Sequence, residues 1–361
     1  MALTPKPAIL QINRYKQGLS KAKGNKRIIK LSSNESPLGA SPKAIDAYVQ
    51  AATDMHRYPD GAATLLREAI GKVHNLNSER IICGAGSDEI IAMLCHAYAG
   101  DGDEVLYTEY GFLMYAIYTR IAGATPVTAR EENLRVSVDN VLAAVTPRTK
   151  IVFIANPNNP TGSYISKDEL LRLRQNLPEN VLLVIDSAYA EYVSNKDYTA
   201  GETIVDMGKN TVMTRTFSKI YGLASLRIGW GYCPESVMDV LSRVRGPFNV
   251  STPAILAARA AVLDTKFTRQ AKEHNDKWLP WLTKKMEESG LKVYPSVGNF
   301  ILVEFGEGAK NADAANDFLM EQGIIARNVA SYGLPSCLRF TIGTEEENEA
   351  LAEAIEEFYG V

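Results

Sequence analysis

The sequence predicts an α/β protein in which a large domain, built on a mainly parallel β-sheet covered by helices, is joined to a smaller α+β domain. From about residue 60, short apolar runs alternate with helical patterns, as in parallel sheets whose strands are connected by helices. A long helical stretch follows, and beyond it apolar runs and helices form a shorter second series. With 361 residues and 46% hydrophobic content, the chain can bury one large core and one small one.

The strands are predicted where apolar residues cluster. They comprise residues 79–83, 104–107, 151–155, 181–185 and 211–214 in the large domain, and 300–305 and 338–342 in the small one. A helix or helix pair is predicted over 251–290 and a helix over 311–322, and Thr344 and Glu347 have capping-box spacing for a final helix. We expect residues 1–30 to form an N-terminal arm, 31–55 and 251–361 the small domain with its linking helix, and 56–250 the large domain.

The composition argues against several classes of function. A formal net charge of -3 gives no general attraction to nucleic acid or to anionic membranes. No apolar run approaches the roughly 20 residues of a membrane span. The cysteines and histidines show neither metal-ligand spacing nor the pattern of a disulfide framework. We therefore expect a cytoplasmic protein that acts on small molecules and uses no metal.

Lys219 lies in a hydroxyl-rich segment directly after a predicted strand. Thr216 and Ser218 precede it and Arg227 follows, a set of groups that can hold a phosphate beside an amine. Open α/β sheets bind ligands at the carboxyl ends of their strands. A neighbouring cation favours the neutral, nucleophilic form of a lysine, which Schiff-base chemistry needs. Taken alone, a Ser-Lys pair is more often part of a surface loop.

A glycine turn, Gly84-Ala85-Gly86-Ser87, precedes a helical pattern. Glycines let the backbone approach a phosphate closely, and the free N–H groups of a helix start favour its charge. The segment can therefore form a second part of the phosphate site, although such a turn taken alone more often only caps a helix. A turn that merely caps the helix is the alternative.

Two further segments follow apolar strands. Asn159 lies in the turn-rich loop 156–162, where it can donate a hydrogen bond to a ligand or simply form a tight turn. Asp186 ends the most apolar strand, with Tyr189 shortly after it. A carboxylate at that depth needs a partner, which a protonated pyridine nitrogen would supply. A helix N-cap is the alternative for Asp186.

These segments occur in the order and spacing of fold-type I pyridoxal-phosphate (PLP) aminotransferases. Three more motifs, at 34–39 (Asn-Glu-Ser-Pro-Leu-Gly), 57–60 (Arg-Tyr-Pro-Asp) and 332–335 (Tyr-Gly-Leu-Pro), make the chain resemble the histidinol-phosphate aminotransferase family from about Tyr15 to Gly343. The resemblance implies a fold-type I PLP-dependent transferase whose large domain has a mainly parallel sheet of seven strands. It also implies PLP as the cofactor.

The resemblance assigns roles to the residues at the matching positions. Lys219 would form the Schiff base and carry a proton during catalysis, and Asp186 would pair with the pyridinium nitrogen. Asn159 and Tyr189 would hydrogen-bond the phenolic oxygen, and Tyr110 would stack on the ring. The remaining cofactor contacts would hold the phosphate: Ala85, Gly86, Ser87, Thr216, Ser218 and Arg227, with Tyr58 from the second subunit of a homodimer.

The substrate contacts implied by the resemblance are mostly arginines. Arg339 would hold an α-carboxylate, where a planar fork suits the task. Arg327 would bind the substrate phosphate, and Tyr15 would be an N-terminal contact. Without the family context, Arg339 would be an outward-facing residue of a strand.

The activity implied is PLP-dependent transamination of L-histidinol phosphate with 2-oxoglutarate by a ping-pong mechanism, giving imidazole acetol phosphate and L-glutamate. The alternative is an aminotransferase for phenylalanine or tyrosine, or an enzyme with both activities. A transcription regulator built on this fold would carry a DNA-binding domain ahead of it. Because the first motif begins near Tyr15, we expect no such domain.

Overall fold

A computed structural model describes residues 3–12 and 27–360. The strands, in chain order, are β1 (Ile29–Lys30), β2 (Ile81–Gly84), β3 (Glu104–Thr108), β4 (Thr125–Ala129), β5 (Thr149–Ala155), β6 (Leu182–Asp186), β7 (Thr211–Thr216), β8 (Gly229–Tyr232), β9 (Lys292–Tyr294), β10 (Phe300–Glu304), β11 (Ile324–Ile325), β12 (Arg327–Asn328) and β13 (Cys337–Thr341). All seven predicted strands are confirmed, with ends shifted by no more than two residues.

The helices are α1 (Pro7–Leu10), α2 (Pro42–Ala51), α3 (Thr64–His74), α4 (Ser87–Tyr98), α5 (Met114–Ala122), α6 (Val138–Ala143), α7 (Lys167–Asn176), α8 (Glu202–Met207), α9 (Glu235–Val244), α10 (Thr252–Leu263), α11 (Thr265–Glu288), α12 (Ala312–Glu321) and α13 (Glu345–Tyr359). The stretch 251–290 is a helix pair, α10 and α11, divided at Asp264. The predicted capping box of Thr344 and Glu347 is confirmed at the start of α13.

The central sheet has seven strands in the order β2-β8-β7-β6-β5-β3-β4. Neighbouring strands from β7 to β4 are parallel, while β8 runs antiparallel to both β2 and β7. Every residue of β6 and β7 is buried, as expected for strands covered by helices on both faces. The predicted mainly parallel, seven-stranded α/β fold is confirmed.

The carboxyl ends of β5, β6 and β7 meet at one edge of this sheet. The loop 156–162, Asp186 and Lys219 all lie at or just beyond that edge. The antiparallel β8 brings the glycine turn to the same place, because Gly229 pairs with Gly84 on one side and with Thr216 on the other. Strand order therefore gathers segments that are far apart in the sequence.

A second layer of structure is formed by the antiparallel sheet β12-β13-β10-β9 and the parallel pair β1-β11. Helices α11, α12 and α13 contribute to its apolar core, which contains Trp278, Leu319, Phe340 and Ile355. Strand β1 comes from the N-terminal part of the chain and pairs with β11. Helix α2 packs on α10 instead, with Ala44 inside the larger core. The domain boundaries given above stay a prediction.

Candidate active site

Lys219 extends into a cavity at the carboxyl-end edge of the central sheet. Its Nζ donates a hydrogen bond to the Ser33 carbonyl at 3.1 Å and lies 5.7 Å from the centre of the Tyr189 ring. Asp186 and Arg227 line the same cavity. The lysine is half-buried, so the surface-loop alternative does not describe its position.

Asp186 lies at the bottom of this cavity, at the end of β6. Tyr115 donates to its Oδ2 at 2.8 Å, and Thr214 donates to its Oδ1 at 3.1 Å. Burial raises the pKa of Asp186 to about 6, although both hydroxyl donors act in the opposite direction. Among the residues that the structure describes, no lysine or arginine forms an ion pair with this carboxylate. The site therefore holds a buried acid that can accept a cationic N–H.

The glycine turn and Arg227 form one wall of the cavity. Gly86 has a φ of +85°, and a Cβ there would lie 2.5 Å from the Arg227 Nη2. Arg227 donates to the Ser218 hydroxyl at 3.2 Å and contacts Asp88 at 3.3 Å. Helix α4 begins at Ser87, so its N-terminal end faces this wall. Guanidinium, hydroxyls and a helix N-terminus are groups that bind anions in proteins, so this wall suits an anionic ligand.

Arg339 joins the loop 156–162 to the N-terminal segment. Its Nη1 donates to the Asn159 Oδ1, and its Nη2 donates to the Ser32 carbonyl at 2.8 Å. The side chain is only 4% exposed, so it is not the outward-facing strand residue of the alternative. Because the Asn159 oxygen accepts from Arg339, the amide nitrogen is the end of Asn159 that can donate to a ligand.

A second cavity adjoins the first. Ser33, Phe112, Asn159 and Lys219 line both cavities, so the two are continuous. Its other walls include Arg327 and Arg339, which lie directly opposite each other on the paired strands β12 and β13. Cross-strand neighbours point to the same face of a sheet. Two arginines therefore serve one cavity beside the lysine.

One predicted aromatic residue, Tyr110, is not among the residues that line the two cavities. Phe112 lines both cavities. Tyr110, the predicted stacking residue, packs against an apolar cluster that contains Leu334 and Tyr332, and Tyr332 itself lines the second cavity. The main-chain N–H of Tyr110 donates to buried Glu131 at 3.3 Å. The stacking role of Tyr110 stays a prediction, and Phe112 is a second candidate because it lines both cavities.

The other predicted residues fall into three groups. Ser87, Thr216, Ser218 and Tyr189 line the first cavity, while Ala85 and Gly86 belong to the adjoining turn. Tyr58 is 82% exposed and stacks on Phe248 at 4.6 Å. Tyr15 lies outside the described residues.

Several contributing residues had no predicted role, among them Asn34, Tyr115 and Thr214. Asn34 donates to the Tyr189 hydroxyl at 2.9 Å. The sequence singled out Asn34 as part of a motif but indicated no contact for it. The sequence around Tyr115 indicated no role for this residue in the site, because a tyrosine in an amphipathic helix is common.

Within residues 3–12 and 27–360, no cluster of histidine, cysteine, aspartate and glutamate has the arrangement of a metal site. In the same part of the chain, no helix is long and apolar enough to cross a membrane.

The family model described as aminotransferase class I and II matches residues 26–355. The chain belongs to the class I and II aminotransferases. The match spans both the central sheet with Lys219 and the second layer that carries Arg327 and Arg339.

This aminotransferase is similar to curated relatives along nearly its whole length. It is 56% identical over 360 residues to the histidinol-phosphate aminotransferase of Paramagnetospirillum magneticum, covering 99% of both chains. It is 53% identical to that of Rhodospirillum rubrum, covering 98% of this chain and 96% of the relative. Among solved structures, the histidinol-phosphate aminotransferase of Sinorhizobium meliloti in complex with pyridoxal-5'-phosphate has a TM-score of 0.90 at 27% identity, covering 99% and 98% of the chains.

Proposed function

We propose that this aminotransferase transfers the amino group of L-histidinol phosphate to 2-oxoglutarate with PLP as its cofactor, a step of histidine biosynthesis. The products are imidazole acetol phosphate and L-glutamate. The observation that carries the proposal is the position of Lys219 between two continuous cavities, one with Asp186 and Arg227 and the other with Arg327 and Arg339. The names of the full-length relatives support this donor over an aromatic amino acid.

The residues of the first cavity fit PLP. Asp186 is buried and its hydrogen-bond donors are neutral hydroxyls, so a protonated ring nitrogen would be its ionic partner. Arg227, Ser218 and the start of α4 would hold the phosphate. Bound PLP supplies an electron sink that eases removal of the proton on the substrate's α-carbon.

Lys219 would attach the cofactor covalently and move that proton. Its amine lies where the two cavities meet, so it can reach both the cofactor and a substrate held by the arginines. Asn159 and Tyr189 would donate hydrogen bonds to the phenolic oxygen of the cofactor. Phe112, which lines both cavities, would cover one face of the ring.

Arg327 and Arg339 would bind the anionic groups of both substrates in turn. Histidinol phosphate carries a phosphate, and 2-oxoglutarate carries two carboxylates. A guanidinium can hold either anion through two parallel N–H donors. Since the two arginines are register partners on adjacent strands, they form one adaptable anion site.

We infer that the protein acts as a homodimer in which Tyr58 completes the neighbouring site. Tyr58 is a large aromatic residue that is 82% exposed, and Tyr48, Val49 and Met55 in the same part of the chain are also exposed. Exposed apolar groups of this size favour an interface. Their position at α2 and the following turn places that surface beside the motif 57–60.

We also place the reaction in the cytoplasm. The four cysteines, Cys83, Cys95, Cys233 and Cys337, are all free and buried. Unpaired cysteines are typical of proteins in reducing compartments. The proposed partners are small molecules and a second copy of the chain, with neither nucleic acid nor membrane among them.

The test is an amino-transfer assay with purified, PLP-loaded protein. Glutamate formation from 2-oxoglutarate is measured with histidinol phosphate, phenylalanine and tyrosine as separate donors. We expect histidinol phosphate to be the preferred donor and Lys219→Ala to be inactive. Good turnover of tyrosine without turnover of histidinol phosphate would overturn the proposed substrate. A normal visible PLP band in Lys219→Ala would overturn the role of the lysine.

A further inference from the structure

A chain of hydrogen bonds connects strand β13 to the Tyr189 hydroxyl. The backbone N–H of Asn34 donates to Thr341 Oγ1 at 2.8 Å, and the Thr341 hydroxyl donates to Asn34 Oδ1 at 3.2 Å. The side-chain amide of Asn34 then donates to the Tyr189 oxygen at 2.9 Å. All three residues are buried, so water does not compete with these bonds.

The order of donors fixes the orientation of the Asn34 amide. Because Thr341 Oγ1 already accepts from the Asn34 backbone, its own hydrogen is free to be donated to Asn34 Oδ1. Turning the amide over would place two N–H donors on the same Thr341 oxygen and would remove the acceptor of the threonine hydroxyl. The amide nitrogen of Asn34 therefore faces Tyr189.

This orientation has a consequence for Tyr189, since a phenol has only one hydrogen to donate. The Tyr189 oxygen accepts from Asn34, so its hydrogen points away from Asn34. The ring lines the cavity that contains Lys219 and Asp186. The hydrogen is therefore available to an acceptor in that cavity.

We propose that Asn34 and Thr341 are positioning residues that make the Tyr189 hydroxyl a donor to an anionic oxygen of the bound ligand. For PLP this is the phenolic oxygen, so the inference rests on the proposed function. It deepens that proposal because two residues far from Tyr189 in the chain would set the direction of the hydrogen bond that the Tyr189 hydroxyl donates.

The backbone around Asn34 holds the amide in place. Asn34 has a φ of 54°, a left-handed conformation that asparagine tolerates better than most residues. Its carbonyl accepts from the Asn299 side chain at 3.0 Å. Thr341 lies on the same strand and the same face as Arg339, two residues away. One strand thus carries both an anion-binding arginine and the anchor of the tyrosine.

The first experiment compares Thr341→Val with Thr341→Ser in the PLP-loaded protein. The visible absorption band is followed as a function of pH to obtain its titration midpoint. A hydrogen bond to the phenolic oxygen stabilises the anionic form of that oxygen, so its loss raises the midpoint. We expect Thr341→Val to raise it by about half to one pH unit. Thr341→Ser keeps the hydroxyl and should leave the midpoint unchanged.

A double-mutant cycle then separates this effect from a general loss of packing. If Thr341 acts through Tyr189, Thr341→Val has no further effect on the midpoint in a Tyr189→Phe background. The charged groups that line the two cavities are unchanged throughout: Glu35, Asp88, Asp186, Lys219, Arg227, Arg327 and Arg339. An unchanged midpoint in Thr341→Val, or an equal shift in the Tyr189→Phe background, would overturn the inference.

Asn34→Asp provides a second variant. A carboxylate only accepts hydrogen bonds, so it would draw the Tyr189 hydrogen towards itself and raise the midpoint. The melting temperature of each PLP-free variant checks that it folds. If the unmodified protein shows no PLP band at all, the proposed function fails and this inference fails with it. A normal band with the same midpoint in Thr341→Val and Asn34→Asp refutes the inference alone.

Discussion

The hydroxyl of Tyr115 donates a hydrogen bond to the Asp186 carboxylate at 2.8 Å, although 71 residues separate them in the chain. Tyr115 is the second residue of α5, and its ring stacks on Phe153 of β5 with the ring centres 4.6 Å apart. A helix on one face of the sheet thus supplies a hydrogen-bond donor to the strand-end acid. The bond partly offsets the cost of burying Asp186.

We predict that Tyr115→Phe destabilises the PLP-free protein by about 1–2 kcal/mol near neutral pH, because the buried carboxylate loses a donor while the ring packing is kept. The pKa of Asp186 should rise above its value of about 6. Urea unfolding gives the stability. Tyr118→Phe in the same helix is the control. Equal losses in the two variants would show that the hydrogen bond is not the cause.

Glu131 predicts a pH dependence of stability. It is 6% exposed, and burial, aided by the negative charge of Glu109, raises its pKa from 4.5 to about 7. The folded state then binds a proton more tightly than the unfolded chain, so this residue's contribution to stability is lost as pH rises from 4.5 to about 7. Glu131→Gln has no group that ionises at this position, so the variant does not show this loss of stability at higher pH.

The measurement is the free energy of unfolding at about pH 5 and about pH 8. The difference between Glu131→Gln and the unmodified protein should shift by about 2–3 kcal/mol in favour of the variant at the higher pH. Glu132→Gln, at the exposed neighbouring position, should show no such shift. A pH-independent difference for Glu131→Gln would contradict the prediction.

Gly86→Ala should weaken cofactor binding. The new Cβ would lie 2.5 Å from the Arg227 Nη2 and would push the guanidinium out of the anion site. Gly102→Ala is a matched control, since Gly102 has a similar φ of +83° but no atom within 4 Å of an added Cβ. Both variants should lose about 1 kcal/mol of stability from backbone strain.

Only Gly86→Ala should also lower PLP affinity, by about tenfold or more, because a charge-assisted hydrogen bond is displaced. PLP titration followed by absorbance gives the affinity. If Gly102→Ala loses PLP to the same degree, backbone strain rather than the displaced arginine explains the effect.

Substitutions can show whether Phe112 or Tyr110 contacts the ring of the bound cofactor. Phe112→Leu should reduce PLP affinity by about two- to tenfold through the lost ring contact. Tyr110→Leu should affect stability more than affinity, because the Tyr110 side chain packs with Tyr332 and Leu334. The same titration gives the PLP affinity of both variants, and a loss confined to Tyr110→Leu would support stacking by Tyr110 and contradict stacking by Phe112.

The predicted strands are those that consist mostly of apolar residues, because a run of apolar residues indicates a buried strand. Strands β5 and β6 contain the continuous apolar runs 151–155 and 182–185, and both were predicted. Strand β4 (Thr125–Ala129) was not predicted, because it is an edge strand with exposed threonines and a proline. Strand β8 (Gly229–Tyr232) was not predicted, because its two glycines do not favour a strand. A Cβ on Gly229 would lie 2.4 Å from the Ser87 nitrogen, so close packing requires glycine there.

The residues of the candidate site also include some that the sequence predicted and some that it did not. Lys219, Asp186, Asn159 and Arg227 follow strands or turns whose ends the sequence marks, and the structure brings them to one cavity. The sequence did not indicate that Phe112 lines the cavities, since the path of the loop decides which rings face them. Tyr115 and Asn34 could not be assigned contacts at all, because their partners are distant in the chain.

The sequence by itself determined the most apolar strands, the helix pair at 251–290, and the candidate lysine with the chemical groups near it in the chain, because apolar periodicity and turn-forming residues act locally. Only the tertiary structure decided which groups face each other. Parallel pairing aligned Asp186 with Thr214, and the antiparallel β8 set the glycine turn beside Thr216. The pairing of β12 with β13 placed Arg327 opposite Arg339. These relationships depend on strand order and register, which are set by packing of the whole core rather than by any single segment.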